Sequence, residues 1–286
     1  MDDRDMAAFT HNSDEPHDER SLAQRWDEDG YLLLRGFFDP LRIRRINDLV
    51  DRLWDERRDT NSNLVIDVGL NTAQHHRIRF HDAPDKSRTS PHKINDLYLN
   101  YEEIRQVVLD QELTRIIGQL LQGTPLVINT LNFELGSQQD DHVDTFYMPP
   151  RKQNCMLATW IALEPVSIEA GPIRYYPRSH KIPPYLFSHG KTNAIASELP
   201  GFYEYMAREL ESRRIDPRVF TAEAGDLFIW HAQLLHGGTP IKDAAKTRRS
   251  LVTHYFRKAE YRHLFWRLKK VHENGYFYKR PHQAPS

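Results

Sequence analysis

Residues 132–147 read Asn132-Phe133-Glu134-Leu135-Gly136-Ser137-Gln138-Gln139-Asp140-Asp141-His142-Val143-Asp144-Thr145-Phe146-Tyr147, with the triplet His142-Val143-Asp144 near the end. Side chains two residues apart on a β-strand point to the same face and lie about 6.5 Å apart along the chain. We therefore expect that His142 and Asp144 can bind one metal ion between them. The triplet is weak evidence alone, because a chain of 286 residues with 15 histidines is expected to contain such a triplet by chance.

A second informative stretch is centred on His236, 94 residues after His142. It reads Leu234-Leu235-His236-Gly237-Gly238, and Thr247-Arg248-Arg249-Ser250-Leu251-Val252 follows it. A ligand pair, a later histidine and an arginine at the start of a strand are what a 2-His-1-carboxylate iron site with a 2-oxoglutarate cosubstrate needs. The arginine binds the distal carboxylate of the cosubstrate as a bidentate fork. The two stretches together therefore predict an iron site beside an anion site.

The order and residue patterns of these motifs resemble those of the phytanoyl-CoA dioxygenase-like branch of the Fe(II)/2-oxoglutarate oxygenases. The resemblance extends from about residue 22 to residue 256. Residues 26–36 (WDEDGYLLLRG) resemble the family's opening helix and strand, and residues 160–164 (WIALE) follow the metal pair at the family's usual interval. Residues 171–181 (GPIRYYPRSHK) resemble its Gly-Pro-Leu…Pro-Gly-Ser-His loop, with Arg178 where glycine is usual. The resemblance implies an all-β core with flanking α-helices, folded as a double-stranded β-helix (jelly roll, cupin-like).

The resemblance also implies a reaction and the residues that carry it. His142, Asp144 and His236 would ligate Fe(II), and 2-oxoglutarate and O2 would take the remaining positions. Oxidative decarboxylation of 2-oxoglutarate to succinate and CO2 would then drive oxidation of a C–H bond. Halogenases of this superfamily have Gly or Ala in place of the carboxylate, so Asp144 makes hydroxylation, or a related oxidation, the expected outcome.

Two pairs of neighbouring candidates have to be separated. Adjacent strand residues face opposite sides, so we expect Arg248, which shares its face with Ser250, to bind the cosubstrate rather than Arg249. The register is open, because the spacing from His236 to Arg248 is one residue longer than the family's. His231 and His236 differ by an odd number, so on one continuous strand only one reaches iron. The Leu-His-Gly motif resembles the one around the family's metal-binding histidine, which favours His236 as the ligand. His231 is then expected to be a buried, hydrogen-bonded histidine.

Further site residues are predicted with less support from spacing. Trp160 matches a family position beside the cosubstrate, although a core aromatic residue is the alternative. Gly238 stands where the family often has serine, so that hydrogen bond to the cosubstrate is absent or supplied elsewhere. His180 and His254 are interpreted as structural. The predicted cosubstrate residues are Arg248, Trp160, Asn129, Gln138 and Ser250, and the predicted substrate residues are Thr145, Tyr147, Arg174 and Tyr176.

These polar and aromatic side chains suit a hydroxylated or anionic substrate better than a bare alkyl chain. We therefore expect hydroxylation of an unactivated C–H bond in a small polar metabolite, which is sugar-like, amino-acid-like or a natural-product intermediate. One alternative is an acyl-CoA hydroxylase of the same family. Another is a jelly roll that binds a metal or ligand without turnover.

Composition limits the remaining classes. The chain is 39% hydrophobic and its motifs span almost its whole length, so residues 21–286 are predicted to form one domain, with a jelly-roll core at about 125–256 and a basic extension at 257–286. A net charge of −1 gives no overall attraction for nucleic acid or membranes. No apolar run approaches a membrane span, and residues 1–20 are expected to be a disordered leader without signal-peptide features. We expect a cytoplasmic monomer or homodimer.

Local patterns predict most of the other elements. A solvated loop or substrate lid is expected at 61–92, apart from a strand at 65–68. The tail from residue 257 is expected to be a solvated basic helix, with contact to an anionic substrate or nucleic acid as the alternative. The lone Cys155 is expected to be buried. Helices are predicted over 21–28, with Ser21 as the cap, over 94–121, and over 197–215, with Ser197 as the cap. A further helix is predicted to start at Pro40, with Leu41 on its apolar face. The other predicted strands include 31–34, 126–131, 156–163 and 250–256.

Overall fold

The computed structural model describes residues 20–59 and 62–286, so the predicted leader lies, except for Arg20, outside the described residues. The α-helices of this part of the chain are α1 (Leu22–Asp29), α2 (Pro40–Glu56), α3 (Glu102–Val108), α4 (Gln111–Leu120) and α5 (Leu199–Arg213). Its β-strands are β1 (Tyr31–Leu34), β2 (Val65–Val68), β3 (His76–Arg79), β4 (His92–Asn95), β5 (Pro125–Phe133), β6 (Met156–Ala162), β7 (Ile173–Tyr175), β8 (Arg218–Phe220), β9 (Leu227–His231), β10 (His236–Gly238), β11 (Ser250–Arg257), β12 (Leu268–His272) and β13 (Gly275–Tyr278).

The strands form two sheets that face each other. The larger sheet has the order β1-β9-β6-β11-β5-β4-β2-β3, and the hairpin of β12 and β13 joins it through β13. The smaller sheet has the order β10-β7-β8. Aromatic rings fill the space between them: the ring centroids of Tyr31 and Tyr175 are 4.7 Å apart, and those of Trp160 and Phe220 are 5.8 Å apart. Two facing, mainly antiparallel sheets with flanking helices confirm the predicted jelly-roll fold.

Helices cover the other face of the larger sheet. Leu157 and Ile161 of β6 belong to the same buried apolar cluster as Ile46 of α2 and Ile117 of α4. Successive strand residues point to opposite faces, so every residue of β6 is buried, alternately between the sheets and under the helices. The strands that position the site are therefore packed from both sides.

The first two helices begin as their sequences predict. Ser21 accepts a hydrogen bond from the Gln24 backbone N–H and forms a capping box, and Gly30 ends α1 with a φ of 80°. Asp39 caps α2, with Pro40 in its first turn. The predicted place of Leu41 on the buried face is wrong, because Leu41 is 51% exposed.

The predicted helix over 94–121 is only partly correct. Ile94 belongs to β4, where it pairs with Ile66 of β2, and Asp96 then turns the chain with a φ of 61°. The helical spacing of apolar residues is real from Glu102 onward, where α3 and α4 form. The described part of 61–92 also contains β3, which the sequence pattern does not predict because three of its four residues are polar. Ser197 does not cap α5, since its N-cap residue is Glu198.

The basic tail is not a helix over its length. Short 3-10 turns occupy Lys258–Arg267, and the hairpin of β12 and β13 follows. Tyr276 and Phe277 of β13 pair with Leu126 and Val127 of β5 in parallel register. Phe277 packs against the main apolar cluster, with its ring centroid 5.9 Å from that of Tyr98, so the tail is part of the fold rather than a solvated appendage.

Two smaller observations complete the fold. Cys155 is 1% exposed, as predicted, and burial raises the pKa of its thiol. Across the described ranges, helices of the length and apolar character that a membrane span requires are absent.

Replacing Ile46 by alanine should destabilise the protein strongly. Ile46 is fully buried between α2 and the sheet, and truncation of a buried isoleucine to alanine costs about 2–5 kcal/mol. The matched control on the same helix is Leu41→Ala, which should change the free energy of unfolding by less than about 0.5 kcal/mol because Leu41 is exposed. Urea denaturation followed by tryptophan fluorescence measures both, and equal losses would contradict the observed orientation of α2.

Candidate metal centre

Two histidines are held side by side by their own backbones. His142 forms an isolated bridge with His236, the first residue of β10. The His142 N–H donates to the His236 carbonyl at 2.9 Å, and the His236 N–H donates to the His142 carbonyl at 3.0 Å. Directly opposed residues of an antiparallel pair point their side chains to the same face. The two imidazole ring centroids are consequently only 4.4 Å apart.

The carboxylate reaches these rings from a turn, not from a strand. The expectation that His142 and Asp144 share one strand is wrong, because Asp144 begins the 3-10 helix Asp144–Phe146. Its Oδ1 still lies 4.0 Å from His142 Nε2 and 3.7 Å from His236 Nε2. One ligand atom from each of the three buried residues lies within 4.8 Å of the others. Two imidazole nitrogens and one carboxylate oxygen on one side of a site are a donor set that fits Fe(II).

Hydrogen bonds orient the three side chains so that their unbonded ligand atoms face one another. His142 Nδ1 lies 2.8 Å from the Asp140 carbonyl, and His236 Nδ1 lies 2.9 Å from the Leu234 carbonyl. A carbonyl oxygen only accepts, so each Nδ1 carries the proton and each Nε2 is free to ligate a metal. Trp230 Nε1 donates to Asp144 Oδ2 at 2.8 Å, which leaves Oδ1 toward the histidines.

Burial keeps His142 neutral and its neighbours keep Asp144 ionised. Burial lowers the pKa of His142 to about 4. Burial opposes ionisation of Asp144, but its neighbours His236 and His254 lower its pKa below the usual range. A neutral imidazole and an ionised carboxylate are the forms that bind metal.

His231 lies outside this group. It ends β9, where its Nε2 is 3.0 Å from Asn154 Oδ1 and its ring centroid is 5.8 Å from that of Trp26. Burial lowers its pKa to about 4. The strand breaks between His231 and His236, yet the two side chains still diverge, and His231 is the buried, hydrogen-bonded histidine that the sequence predicted.

The two neighbouring arginines have different environments. Arg249 is ion-paired with Asp51 and Glu134, each with an N–O distance of 2.9 Å. Arg248 is 2% exposed, and burial alone lowers its pKa to about 10. Its guanidinium lies 5.9 Å from the centroid of the Trp160 ring, and no acidic partner for it is found in the described parts of the chain. Among the residues that the structure describes, Arg248 is therefore a buried cation without a counterion.

Several buried polar atoms near Arg248 lack a hydrogen-bond partner among the described residues. They are Arg248 Nε, Trp160 Nε1 and Ser250 Oγ. Trp160 pairs with Val252 across β6 and β11, so it shares the inward face with Ser250 and His254. Burying a polar group without a partner costs about 1–3 kcal/mol, so such a group of donors is typical of a ligand site. These donors fit a carboxylate-bearing molecule between Arg248 and the metal ligands.

The other predicted cosubstrate residues are already engaged. Asn129 is on the inward face, opposite His254, but its Nδ2 donates to Asp96 Oδ1 at 3.0 Å. Gln138 is exposed, and its Oε1 accepts from the Ile241 backbone N–H at 3.0 Å. A Cβ at Gly238 would lie 2.7 Å from both the Gln138 backbone nitrogen and Ser137 Oγ, which explains why serine does not fit there.

Each of the predicted substrate residues is hydrogen-bonded to a neighbouring side chain near the candidate ligands in sequence or space. Arg174 and Tyr176 both bind Asp141, at 2.8 and 2.6 Å, and burial together with Asp141 raises the pKa of Tyr176 to about 12. Thr145 accepts from Gln233 at 2.9 Å. Tyr147 is 64% exposed, with its ring centroid 5.6 Å from that of His142.

His254 and Trp230 are the site residues that sequence reasoning missed. His254 Nε2 lies 3.7 Å from Asp144 Oδ1, although this histidine was interpreted as structural. Its even spacing from Arg248 places it on the inward face of β11, and that alternation could have identified it. Trp230 looked like an ordinary core residue of β9, because its contact with Asp144 depends on the path of a distant loop.

The comparisons with known proteins agree with this geometry. The profile of the phytanoyl-CoA dioxygenase family (PhyH) matches residues 26–250. A phytanoyl-CoA dioxygenase domain-containing protein 1 homolog of Caenorhabditis briggsae is 20% identical over 185 residues, which cover 56% of this chain. The match spans 64% of the length of that protein.

Several solved structures share the fold of this chain. The α-ketoglutarate-dependent epimerase SnoN of nogalamycin biosynthesis, solved with Fe3+, α-ketoglutarate and nogalamycin RO, is 18% identical, with a TM-score of 0.59 and 82% of each chain covered. The carbocyclase SnoK is 17% identical, with a TM-score of 0.59 over 90% of this chain and 93% of that one. EctD from S. alaskensis, solved with 2-oxoglutarate and 5-hydroxyectoine, is 15% identical, with a TM-score of 0.59 over 88% of this chain and 81% of that one.

Proposed function

Because the chain belongs to the phytanoyl-CoA dioxygenase family, we propose that it is an Fe(II)- and 2-oxoglutarate-dependent hydroxylase with His142, Asp144 and His236 as its metal ligands. The proposed substrate is a small polar metabolite that is oxidised at an unactivated C–H bond. The observation that carries the proposal is the pairing of a complete metal-binding group with a buried arginine that has no acidic partner among the described residues. A protein that had lost catalysis would have little reason to keep that buried charge.

Three residues would bind different parts of the cosubstrate. Arg248 would hold the distal carboxylate of 2-oxoglutarate, since a guanidinium matches a carboxylate in a bidentate geometry. Trp160 and Ser250 would donate the further hydrogen bonds, from the atoms that lack partners. When bound, Fe(II) with 2-oxoglutarate and O2 supplies the oxidation, in which succinate and CO2 are released and one oxygen atom goes to the substrate.

Asp144 and its surroundings favour hydroxylation. The carboxylate takes the ligand position that a halide would otherwise need, and Trp230 fixes its orientation through Oδ2. The three ligand residues are 8% exposed or less, so their side chains are shielded from bulk solvent. Tyr147, exposed beside His142, marks the side from which a substrate would enter.

The test is a screen for succinate release. Purified protein with Fe(II) and 2-oxoglutarate is incubated with fractionated polar metabolites and, separately, with acyl-CoAs. We expect Fe(II)-dependent succinate release with polar fractions, a product heavier by one oxygen, and incorporation of label from 18O2. High chloride or bromide should yield no halogenated product.

Other outcomes of the screen would identify the alternatives. The epimerase SnoN and the carbocyclase SnoK share this fold. If this chain catalysed an epimerisation, the product would have unchanged mass, and if it closed a carbon ring, the product would be lighter by two hydrogens. Turnover with acyl-CoAs alone would replace the proposed substrate class. Metal binding without any consumption of 2-oxoglutarate in any fraction would reject the enzyme assignment.

A further inference from the structure

Two large aromatic side chains lie exposed side by side in the C-terminal segment. Phe265 is 73% exposed and Trp266 is 56% exposed, and their ring centroids are 5.4 Å apart. Every other tryptophan of the chain is 9% exposed or less. An exposed apolar group with polar residues around it is typical of a surface that contacts another molecule or a membrane.

Positive charge is concentrated in the same segment. Residues 257–286 contain eight lysines and arginines and two glutamates, whereas the whole chain has a net charge of −1. Within the residues that the structure describes, the one ion pair of this segment joins Arg280 to Asp96. Four of its other cations are exposed, namely Arg262, Lys269, Lys270 and Lys279. These four cations, together with Phe265 and Trp266, are called the aromatic-basic patch below.

The hairpin brings cations of both its strands close to the aromatic pair. The 3-10 turns end at Arg267, directly after Trp266, and β12 begins with the next residue. The Lys279 backbone N–H donates to the Arg267 carbonyl at 2.7 Å, so these two cations are neighbours across the hairpin. Like charges opposite each other in a sheet are destabilising. An anion at this position would remove that repulsion.

The aromatic pair is held at the surface by packed residues on either side of it. Before the pair, Tyr261 packs against Phe256 of β11, with ring centroids 5.6 Å apart. After the pair, the Tyr98 hydroxyl donates to the Tyr278 carbonyl at 2.9 Å and so fixes the end of β13. The exposure of the two rings therefore belongs to the folded hairpin region.

The composition and geometry of the patch favour an anionic bilayer as its partner. Tryptophan is enriched at the headgroup level of membranes, and lysines near an anionic bilayer are attracted to it. Protein interfaces, in contrast, are depleted of lysine. The rings of Phe265 and Trp266 meet edge to face, at an interplanar angle of 85°, so they do not form the parallel faces on which successive bases of a nucleic acid strand stack.

We propose that the aromatic-basic patch docks this protein on bilayers that contain anionic lipid, with Phe265 and Trp266 in the headgroup region. The attraction is local, because the chain as a whole carries a net charge of −1. Such attraction falls off over about 10 Å at 0.1 M salt, so docking should weaken as salt is added. This inference goes beyond the proposed function and does not depend on it, since the patch contains none of the candidate metal ligands.

Vesicle binding by the full chain tests the proposal. Vesicles of phosphatidylcholine alone, or with about 30% phosphatidylserine, are added at about 0.1 M salt, and co-sedimentation measures binding. We expect binding to the anionic vesicles and little binding to the neutral ones. Trp266 is the exposed tryptophan, so its fluorescence should shift to shorter wavelength on binding and should be quenched by brominated lipid.

The aromatic pair is tested by the double variant Phe265→Ala with Trp266→Ala. It should bind anionic vesicles about 10-fold more weakly or worse, since the burial of one large apolar side chain already contributes that much. The matched control is Ile168→Ala with Leu186→Ala, which removes two exposed apolar side chains outside the segment and should leave binding unchanged.

The cations are tested by Lys269→Gln with Lys270→Gln. Binding should weaken about 25-fold, at about fivefold for each charge removed, and should depend less on salt. The matched control is Lys86→Gln with Lys242→Gln, which removes two exposed lysines elsewhere and should bind like the parent. All these positions are exposed, so melting temperatures near that of the parent should confirm that the variants fold.

Three results would overturn the proposal. The first is an absence of binding to anionic vesicles, or equal binding to neutral ones. The second is parental binding by the aromatic or the lysine variant, or an equal loss in the matching control. The third is tighter binding to a single-stranded oligonucleotide than to anionic vesicles under the same conditions, which would assign the patch to nucleic acid.

Discussion

Asp144→Ala should bind Fe(II) more than about 100-fold more weakly than the parent protein and release no succinate, since residues that only support ligands are already worth 10–100-fold. The loss is large because Asp144 supplies the anionic ligand of the group, and the imidazoles of His142 and His236 remain as a neutral pair. Anaerobic titration with Fe(II) measures the affinity. The weak visible charge-transfer band of the Fe(II)-2-oxoglutarate complex gives a second readout, and it should be absent in the variant.

The matched control for this variant is Asp140→Ala. Asp140 is an exposed acid four residues earlier, and its contact with the site is the backbone carbonyl that accepts from His142 Nδ1, which alanine retains. We expect near-parental affinity and turnover. Full metal occupancy in Asp144→Ala, or an equal loss in both variants, would reject Asp144 as the ligand.

Arg248→Ala should raise the KM for 2-oxoglutarate by about 30-fold or more. Truncating one partner of a buried, charge-assisted contact costs roughly 2–5 kcal/mol, and every 1.4 kcal/mol is about tenfold in affinity. The arginine is 2% exposed and has no acidic partner in the described ranges, so a bound carboxylate is the counterion that its environment lacks. Steady-state kinetics of succinate release, with 2-oxoglutarate varied, give the KM.

Arg249→Ala is the control at the neighbouring position. Its ion pairs with Asp51 and Glu134 connect α2 to the ends of β5 and β11, so its loss should lower the melting temperature and change the KM for 2-oxoglutarate little. If only Arg249→Ala weakens 2-oxoglutarate binding, the register of β11 is off by one and the assignment of Arg248 fails.

Local rules were enough for a good part of the fold. The cap at Ser21, the left-handed Gly30 and the spacing of apolar residues in α2 depend on neighbours within a turn or two of the chain. The same holds for β6, whose apolar run, interrupted only by Thr159, reflects burial on both faces. These features were predictable because the physical cause and its effect lie in one short stretch of sequence.

The candidate site was predictable where a motif carried it. The order and pattern of the motifs grouped His142, Asp144 and His236, and the fold brings one ligand atom of each within 4.8 Å of the others. The reason assumed for the first pair was wrong, since Asp144 lies in a 3-10 turn. Alternation along β11 predicted different surroundings for Arg248 and Arg249, and the structure shows them: Arg248 is buried, whereas Arg249 is ion-paired with Asp51 and Glu134.

The sequence by itself determined the family, and it predicted the candidate metal ligands and an inward arginine, since each of these depends on residue identity and short spacing. Only the tertiary structure decided that the tail forms a hairpin on β5 and that Arg280 reaches Asp96. It also decided that His254 faces Asp144. These contacts join residues more than a hundred positions apart, and their energy depends on burial and on which polar atoms remain unpaired. No local pattern records such long-range pairing, because it arises only when the sheet closes.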